Sequence, residues 1–146
     1  KPRYLDYSFT RAEWASGFHA RFQNSGIEVF SNVREVHLLH CYNVKTLPHL
    51  GSKLRVLKGS HFALDGKGYH MTGRVDVTRY PKLEKLDLRD MRLKYVDLSR
   101  NKCLVEVCLY GTLINEFTLS TLRHAPKWCC VSGTKVKLIP KTLWDQ

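Results

Sequence analysis

The stretch LEKLDL at residues 83–88 recurs, in its apolar positions, as LVEVCL at residues 104–109. The two stretches begin 21 residues apart, and each is followed ten places after its start by a further apolar residue, Leu93 or Ile114. Successive side chains of a strand point to opposite faces of a sheet. The L-x-L spacing therefore predicts short strands that bury their leucines on one face and present the residue between them on the other.

The same spacing extends in both directions from these stretches. Further units begin at Val33 and Leu54 upstream and at Trp128 downstream. The longest interval, between Leu54 and Leu83, contains the polar, glycine-bearing residues 65–73, which indicate an insertion on a loop. One unit cannot bury its apolar side alone, so stacked units are expected to share a continuous core beneath a parallel sheet.

This repeat resembles the leucine-rich-repeat family, whose repeats span about 20–29 residues and begin L-x-x-L-x-L. The resemblance covers residues 33–138. It implies an α/β fold, a leucine-rich-repeat solenoid with a short parallel sheet on its concave face. The family's asparagine or cysteine position holds Cys41 in the first unit but Phe62, Met91 and Thr112 in the next three, which implies an irregular solenoid.

The N-terminal residues do not follow the repeat. A capping-box pattern at residues 10–13 precedes Trp14, Phe18 and Phe22, which recur every fourth residue and so predict one apolar stripe on a helix. We expect an N-terminal helical cap over the open end of the solenoid, with docking of a partner as the alternative role of the stripe. The expected division is a capping region at 1–32, about five repeats at 33–138 and a C-terminal tail at 139–146.

Charge and cysteine content limit the partners and the compartment. Twenty-four Lys and Arg against thirteen Asp and Glu give a net charge of +11, spread over both halves of the chain, which favours polyanions as partners. The five cysteines are odd in number, irregularly spaced and without a C-x-x-C pair, which favours free thiols in a reducing intracellular compartment, either cytoplasm or mitochondrion. No apolar stretch is long enough to cross a bilayer, so no membrane span is expected.

Motifs of catalysis are missing from the sequence. It contains no phosphate-loop, dinucleotide, zinc-protease or nucleophile-elbow motif. Glu84, Asp87 and Asp90 cluster, but Lys85 and Arg89 are interleaved with them, which predicts a solvated network of salt bridges. We therefore expect no enzymatic activity, no cofactor, no metal site and no small-molecule substrate.

Two binding surfaces follow from superposing the units. Basic residues precede the starts of several units, and stacking would align them as a stripe along the edge where the strands begin, able to contact RNA phosphates or simply solvated. Outward positions on and beside the strands predict a concave face that binds protein, or ordinary exposed side chains. The stripe comprises Lys53, Arg79, Lys82, Arg100, Lys102 and Lys127, and the concave face comprises His37, His40, Arg55, Lys58, His61, Lys85, Arg89 and Tyr110.

The function expected from these features is a non-catalytic leucine-rich-repeat interaction module. Its partners are expected to be proteins of a multi-subunit complex, a larger assembly of which this chain is a structural subunit. The basic charge favours an assembly that contains RNA, such as a ribosomal or other ribonucleoprotein particle. The alternative is recognition of substrates or ligands, as in an adaptor of the ubiquitin-ligase type or a receptor.

Overall fold

The part of the chain that the structure describes is an all-parallel β-sheet with few helical residues. The computed structural model describes residues 4–6, 34–39, 52–60, 75, 77–90 and 93–139. These residues form one short helix, α1 (Glu116–Ser120), and six strands: β1 (Tyr4–Asp6), β2 (Glu35–Leu39), β3 (Val56–Ser60), β4 (Lys85–Arg89), β5 (Glu106–Cys108) and β6 (Trp128–Cys130).

The strands lie side by side in the order in which they occur in the chain, and every neighbouring pair is parallel. Leu57 pairs with Leu86, and Leu86 pairs with Val107 in the next strand. A parallel neighbour requires the chain to cross back before each new strand. The predicted parallel stacking of the units at 54, 83 and 104 is therefore confirmed.

The core lies on the inner side of this sheet. Val36, Leu57, Leu86 and Val107 form one inner row across β2–β5, and each is at most 1% exposed. Further buried side chains come from the positions just before and after the strands and from the returning segments: Leu54, Val75, Val77, Tyr80, Leu83, Leu88, Leu93, Val96, Leu98, Leu104, Leu109 and Ile114. The burial pattern of β4 alternates, as the L-x-L spacing predicts.

Helix α1 is held against the preceding returning segment by hydroxyl groups. Asn115 caps the helix, its side chain accepting a hydrogen bond from the backbone N–H of Phe117. The Thr118 Oγ1 accepts from the N–H of Val96 at 3.3 Å, and the Thr121 Oγ1 accepts from the N–H of Leu98 at 2.9 Å. These bonds satisfy backbone donors of a segment that makes no strand pairing there.

The last unit differs from its predicted register by two residues. The prediction aligned Trp128 with Leu104, whereas the structure pairs Trp128 with Glu106. The tenth position of the unit is therefore Val136, which packs on the core, rather than Leu138, which is 75% exposed. The prediction failed because the unit has no leucine at its start, so tryptophan was taken as the first apolar position.

A strand also occurs where the sequence indicated none. β1 lies within residues 1–32 and pairs in parallel with β2, Leu5 opposite Val36. The predicted helical cap, the insertion at 65–73 and most of the tail at 139–146 lie outside the described residues. Within the described ranges, no helix has the length and apolar character needed to cross a membrane.

Candidate functional site

The outward side of the sheet carries two rows of side chains, which we call the sheet face. Stacking of parallel strands places corresponding residues about 4.8 Å apart, so the rows run continuously across β2–β6. The first row contains Glu35, Val56, Lys85, Glu106 and Trp128, and the second contains His37, Lys58, Asp87, Cys108 and Cys130.

Ion pairs between neighbouring units cross the sheet face and its border. The Lys85 Nζ lies 3.9 Å from a carboxylate oxygen of Glu106, its register partner on β5. Just before the strands, the Arg55 Nε lies 3.6 Å from a carboxylate oxygen of Glu84. These side chains are about half exposed, so the pairs add little to folding stability. Their main consequence is that the surface carries positive and negative charges in alternation.

The tightest ion pair of the sheet face lies along β4. The Arg89 Nε donates to both carboxylate oxygens of Asp87, at 2.9 Å each. This hydrogen bond, followed by the charge of Asp87, raises the pKa of Arg89 above its ordinary value. The two residues are two places apart on one strand, so they share a face. The pair fixes the direction of the arginine side chain while leaving half of it exposed.

A shallow cavity of about 370 Å³ opens on the sheet face. Charged side chains of three strands line it, and Trp128, which is 49% exposed, supplies an aromatic wall. Burial raises the pKa of the Cys108 thiol, which disfavours the reactive thiolate form. The lining consists of Lys58, Lys85, Leu86, Asp87, Arg89, Glu106, Cys108 and Trp128.

A second cavity lies at the edge of the sheet where the strands begin. It measures about 570 Å³ and lies between the turn before β5 and the turn before β6. We call it the turn pocket. Its lining is polar throughout and carries three cations and a histidine: Ser99, Arg100, Lys102, Arg123 and His124.

Hydrogen bonds between successive units hold the two turns of the pocket. The buried Asn101 side chain donates through Nδ2 to the carbonyl of Val77 at 2.8 Å and to that of Tyr80 at 3.0 Å. One unit later, the Nε2 of His124 donates to the carbonyl of Lys102 at 2.7 Å. These bonds fix the backbone that carries the basic side chains.

The charges of the turn pocket lack the pairing found on the sheet face. Among the described residues, Arg100, Lys102 and Arg123 form no ion pair within 4 Å. Asp97 is the nearby carboxylate. It accepts the backbone N–H of Ser99, and the bonds from Ser99, with smaller effects of Arg100 and Arg123, lower its pKa. Asp97 therefore stays ionised at neutral pH and offsets only part of the positive charge.

The structure places all six residues of the predicted stripe near the edge where the strands begin, and all six are exposed. Arg79 and Arg100 occupy corresponding positions of consecutive units, as do Lys53 and Lys82. Lys127 lies directly before β6, two positions away from the place that its predicted register gave it.

The predicted protein-binding residues fall on or beside the sheet face where the structure describes them. His37, Lys58, Lys85 and Arg89 point outward from β2–β4, Arg55 precedes β3 and Tyr110 follows β5. His40 and His61 lie outside the described residues.

Sequence reasoning missed several contributors to these surfaces, including four charged or aromatic ones. Glu106 and Trp128 belong to the sheet face, and Arg123 and His124 belong to the turn pocket. Trp128, Arg123 and His124 were missed because the degenerate last unit was given the wrong register. The alternation around Val107 could have identified Glu106 as an outward residue.

Among the described residues, no three His, Cys, Asp or Glu side chains are grouped in a way that could hold a metal ion. No protein-family model, curated protein or solved structure matches the chain.

Proposed function

We propose that the chain is a short leucine-rich-repeat solenoid that serves as a non-catalytic protein-interaction module. In this proposal it is an intracellular structural subunit of a larger assembly that contains RNA. The observation that carries the proposal is the sheet face, an outward surface of alternating charge built on a parallel sheet whose strands follow chain order. Solenoids commonly bind proteins through such extended surfaces.

A repeated turn supports the solenoid. Asp90, Gly111 and Gly133 have positive φ values of 55°, 71° and 73°, and each lies just past a strand at the corresponding place of its unit. A left-handed residue at one fixed position means that these three units leave the sheet by the same kind of turn. Thr112 and Thr134 then donate through their hydroxyls to the carbonyls of Leu109 and Val131, so this turn is bonded in the same way twice.

The composition of the sheet face favours a protein partner. Its cavity is shallow and carries both signs of charge, unlike the deep, mostly apolar pockets that small ligands occupy. Tyr110 is 46% exposed, and Trp128 and Arg89 are about half exposed. Tyr, Trp and Arg are the residue types that most often dominate the binding energy of protein interfaces.

Affinity purification of the tagged chain with quantitative mass spectrometry tests this function. The sheet-face variant is Arg89→Ala with Tyr110→Ala. The matched control is Lys94→Ala with Tyr95→Ala, which removes the same two kinds of group from exposed positions of the returning segment, where Tyr95 is 42% exposed.

A defined set of proteins should copurify in fixed stoichiometry with the natural chain and with the control variant, before and after nuclease treatment. The sheet-face variant should lose these proteins by at least about tenfold, since truncation of a single hot-spot residue costs about 2 kcal/mol or more. Equal recovery by both variants would contradict the proposal. Recovery in variable, substoichiometric amounts would instead favour the adaptor function.

A further inference from the structure

We infer that the turn pocket anchors the phosphate backbone of a nucleic acid. The inference extends the proposed function from a protein partner to a polyanion, and it rests on different residues from those of the sheet face. Either proposal can therefore fail alone.

The chemistry of the pocket fits a phosphate group. Arg100 and Arg123 offer planar guanidinium donors, which bind phosphate oxygens in pairs, and Lys102 adds a compact point charge. All three side chains are exposed, and no described carboxylate pairs with them. A phosphate would thus meet donors that are not already engaged, at less cost than on the sheet face.

The pocket is also built in advance. Its turns are tied to the neighbouring unit through Asn101 and through the His124 bond to Lys102. The basic side chains therefore project from a fixed backbone, which reduces the ordering cost of binding.

The surroundings of the pocket favour a nucleic acid over a single phosphorylated residue. The stripe continues from the pocket along the same edge through Arg79, Lys82 and Lys53 on the preceding units. From the unit of β3 to the unit of β6 the strands span about 14 Å. That length corresponds to roughly four nucleotides along one strand of a duplex. A line of cations matches a chain of phosphates better than one phosphate.

A lipid surface fits the pocket less well. Peripheral membrane binding combines basic residues with apolar side chains that enter the headgroup region. Among the residues that the structure describes, no apolar side chain lines the turn pocket.

Fluorescence anisotropy with labelled 16-base-pair RNA and DNA duplexes tests the inference on the full chain. The pocket variant is Arg100→Gln, Lys102→Gln and Arg123→Gln. The control is Arg55→Gln, Lys85→Gln and Arg89→Gln, which has the same net charge but removes paired cations of the sheet face and its border. Thermal unfolding of each variant verifies that it folds.

The natural chain should bind a duplex with a dissociation constant of about 1–100 µM, weakening by at least about 40-fold from 50 to 200 mM salt if three phosphates are neutralised. The pocket variant should bind at least about tenfold more weakly, with a log–log salt slope shallower by about three. The control should stay within about threefold of the natural chain. Similar affinities for the two duplexes would show that the pocket binds the phosphate backbone common to RNA and DNA. Tighter binding to the RNA duplex would show that RNA is the source of the phosphates.

Three results would overturn the inference. The first is no binding to either duplex at 50 mM salt, and the second is equal weakening by both triple variants, which would reflect net charge alone. The third is displacement of the duplex by micromolar amounts of a peptide with one phosphoserine, which would assign the pocket to phosphoproteins. None of these results bears on the copurification of proteins through Arg89 and Tyr110.

Discussion

The sheet face and the turn pocket are made from the same kinds of residue, yet they differ in how their charges are paired. On the sheet face and its border, Arg55, Lys85 and Arg89 each lie within 4 Å of a carboxylate. In the turn pocket, Arg100 and Arg123 have no such partner among the described residues. The net charge of +11 therefore does not tell whether the cations of either surface are paired with carboxylates.

The difference arises from where acidic residues lie in the repeat. Asp87 and Glu106 lie on strands and Glu84 lies directly before β4, where each carboxylate comes next to a cation of its own or the neighbouring unit. The turns before β5 and β6 carry the cations Arg100, Lys102 and Arg123, and Asp97 is the described carboxylate that interacts with the two arginines. Paired charges favour a partner with a matching pattern, whereas unpaired cations attract any polyanion in a salt-dependent way.

The largest expected effect comes from disturbing the edge that supports the turn pocket. Asn101→Ala removes the side chain that bonds the carbonyls of Val77 and Tyr80, and Asn101 is only 3% exposed. We expect a loss of about 2–3 kcal/mol in the free energy of unfolding, measured by urea denaturation, because two buried hydrogen bonds are lost.

The same variant should separate the two surfaces at temperatures where it remains folded. Duplex binding should weaken, because the turn loses its anchor, while the proteins that depend on Tyr110 are retained. The control is Lys94→Ala at an exposed position, expected to change stability by less than about 0.5 kcal/mol. A loss in Asn101→Ala no larger than in the control would show that these bonds do not hold the edge.

The second effect tests whether β6 pairs with the rest of the sheet. Cys129 lies opposite Val107 on the last strand and is exposed, yet desolvation by the neighbouring protein, with the Cys130 and Cys108 thiols, raises its pKa to about 11. At pH 8 only about one thiol in a thousand is then ionised, compared with about one in four for an ordinary cysteine. Alkylation of Cys129 should be about 100-fold slower than in the urea-unfolded chain, and it should accelerate as the pH rises towards 11.

Peptide mass spectrometry of iodoacetamide-treated protein measures this rate at each pH. The unfolded chain serves as its own control, since both states carry the same cysteine. The folded form has the raised pKa, so this thiol contributes stability that is present below its unfolded pKa and is lost as the pH passes through about 11. Equal rates in the two states would mean that the surrounding protein does not desolvate this thiol.

The third expected effect concerns a turn at the carboxyl ends of the strands, opposite the edge that carries the turn pocket. Gly111 has a φ of 71°, and a Cβ there would lie 2.2 Å from the Asp90 Oδ1. Gly111→Ala should cost about 1–2 kcal/mol in thermal unfolding, mainly from the left-handed backbone, since the Asp90 side chain can move. Gly111→Asn is the control and should cost less, because asparagine tolerates this conformation.

Gly111→Ala should weaken protein binding beside Tyr110 more than duplex binding. This is the reverse of the pattern expected for Asn101→Ala. Parallel losses of both activities in both variants would indicate that the two surfaces are not separable.

The smallest expected effect comes from making the sheet face resemble the turn pocket, by removing the carboxylates that pair with its cations. Glu84→Gln, Asp87→Asn and Glu106→Gln leave Arg55, Lys85 and Arg89 without their carboxylates. We expect duplex affinity at 50 mM salt to rise about fivefold, with a steeper salt dependence, because cations that were compensated become available to phosphates. The same measurement on Glu116→Gln, an acidic position of α1 that takes no part in these ion pairs, should show a smaller change. An unchanged affinity in the triple variant would show that pairing does not decide which surface attracts the duplex.

The spacing of leucines predicted much of the fold correctly. Leu83, Leu86 and Leu88 are buried as expected, and their equivalents in the next unit, Leu104 and Val107, are buried beside them. Prediction succeeded there because alternation within a strand is a local property. It failed at Trp128, where the unit lacks a leading leucine, and at β1, which is too short for its pattern to stand out.

By itself, the sequence determined that short strands recur, which side of each is apolar, and that cations precede several of them. These features depend on residue type and on a period of two, so they can be recognised without neighbours. Only the tertiary structure decided that Arg55 and Lys85 are compensated, because their carboxylates, Glu84 and Glu106, lie in the neighbouring unit and reach them through strand register. For the same reason only the fold brought Arg100 and Lys102 together with Arg123 and His124, which lie in turns of successive units.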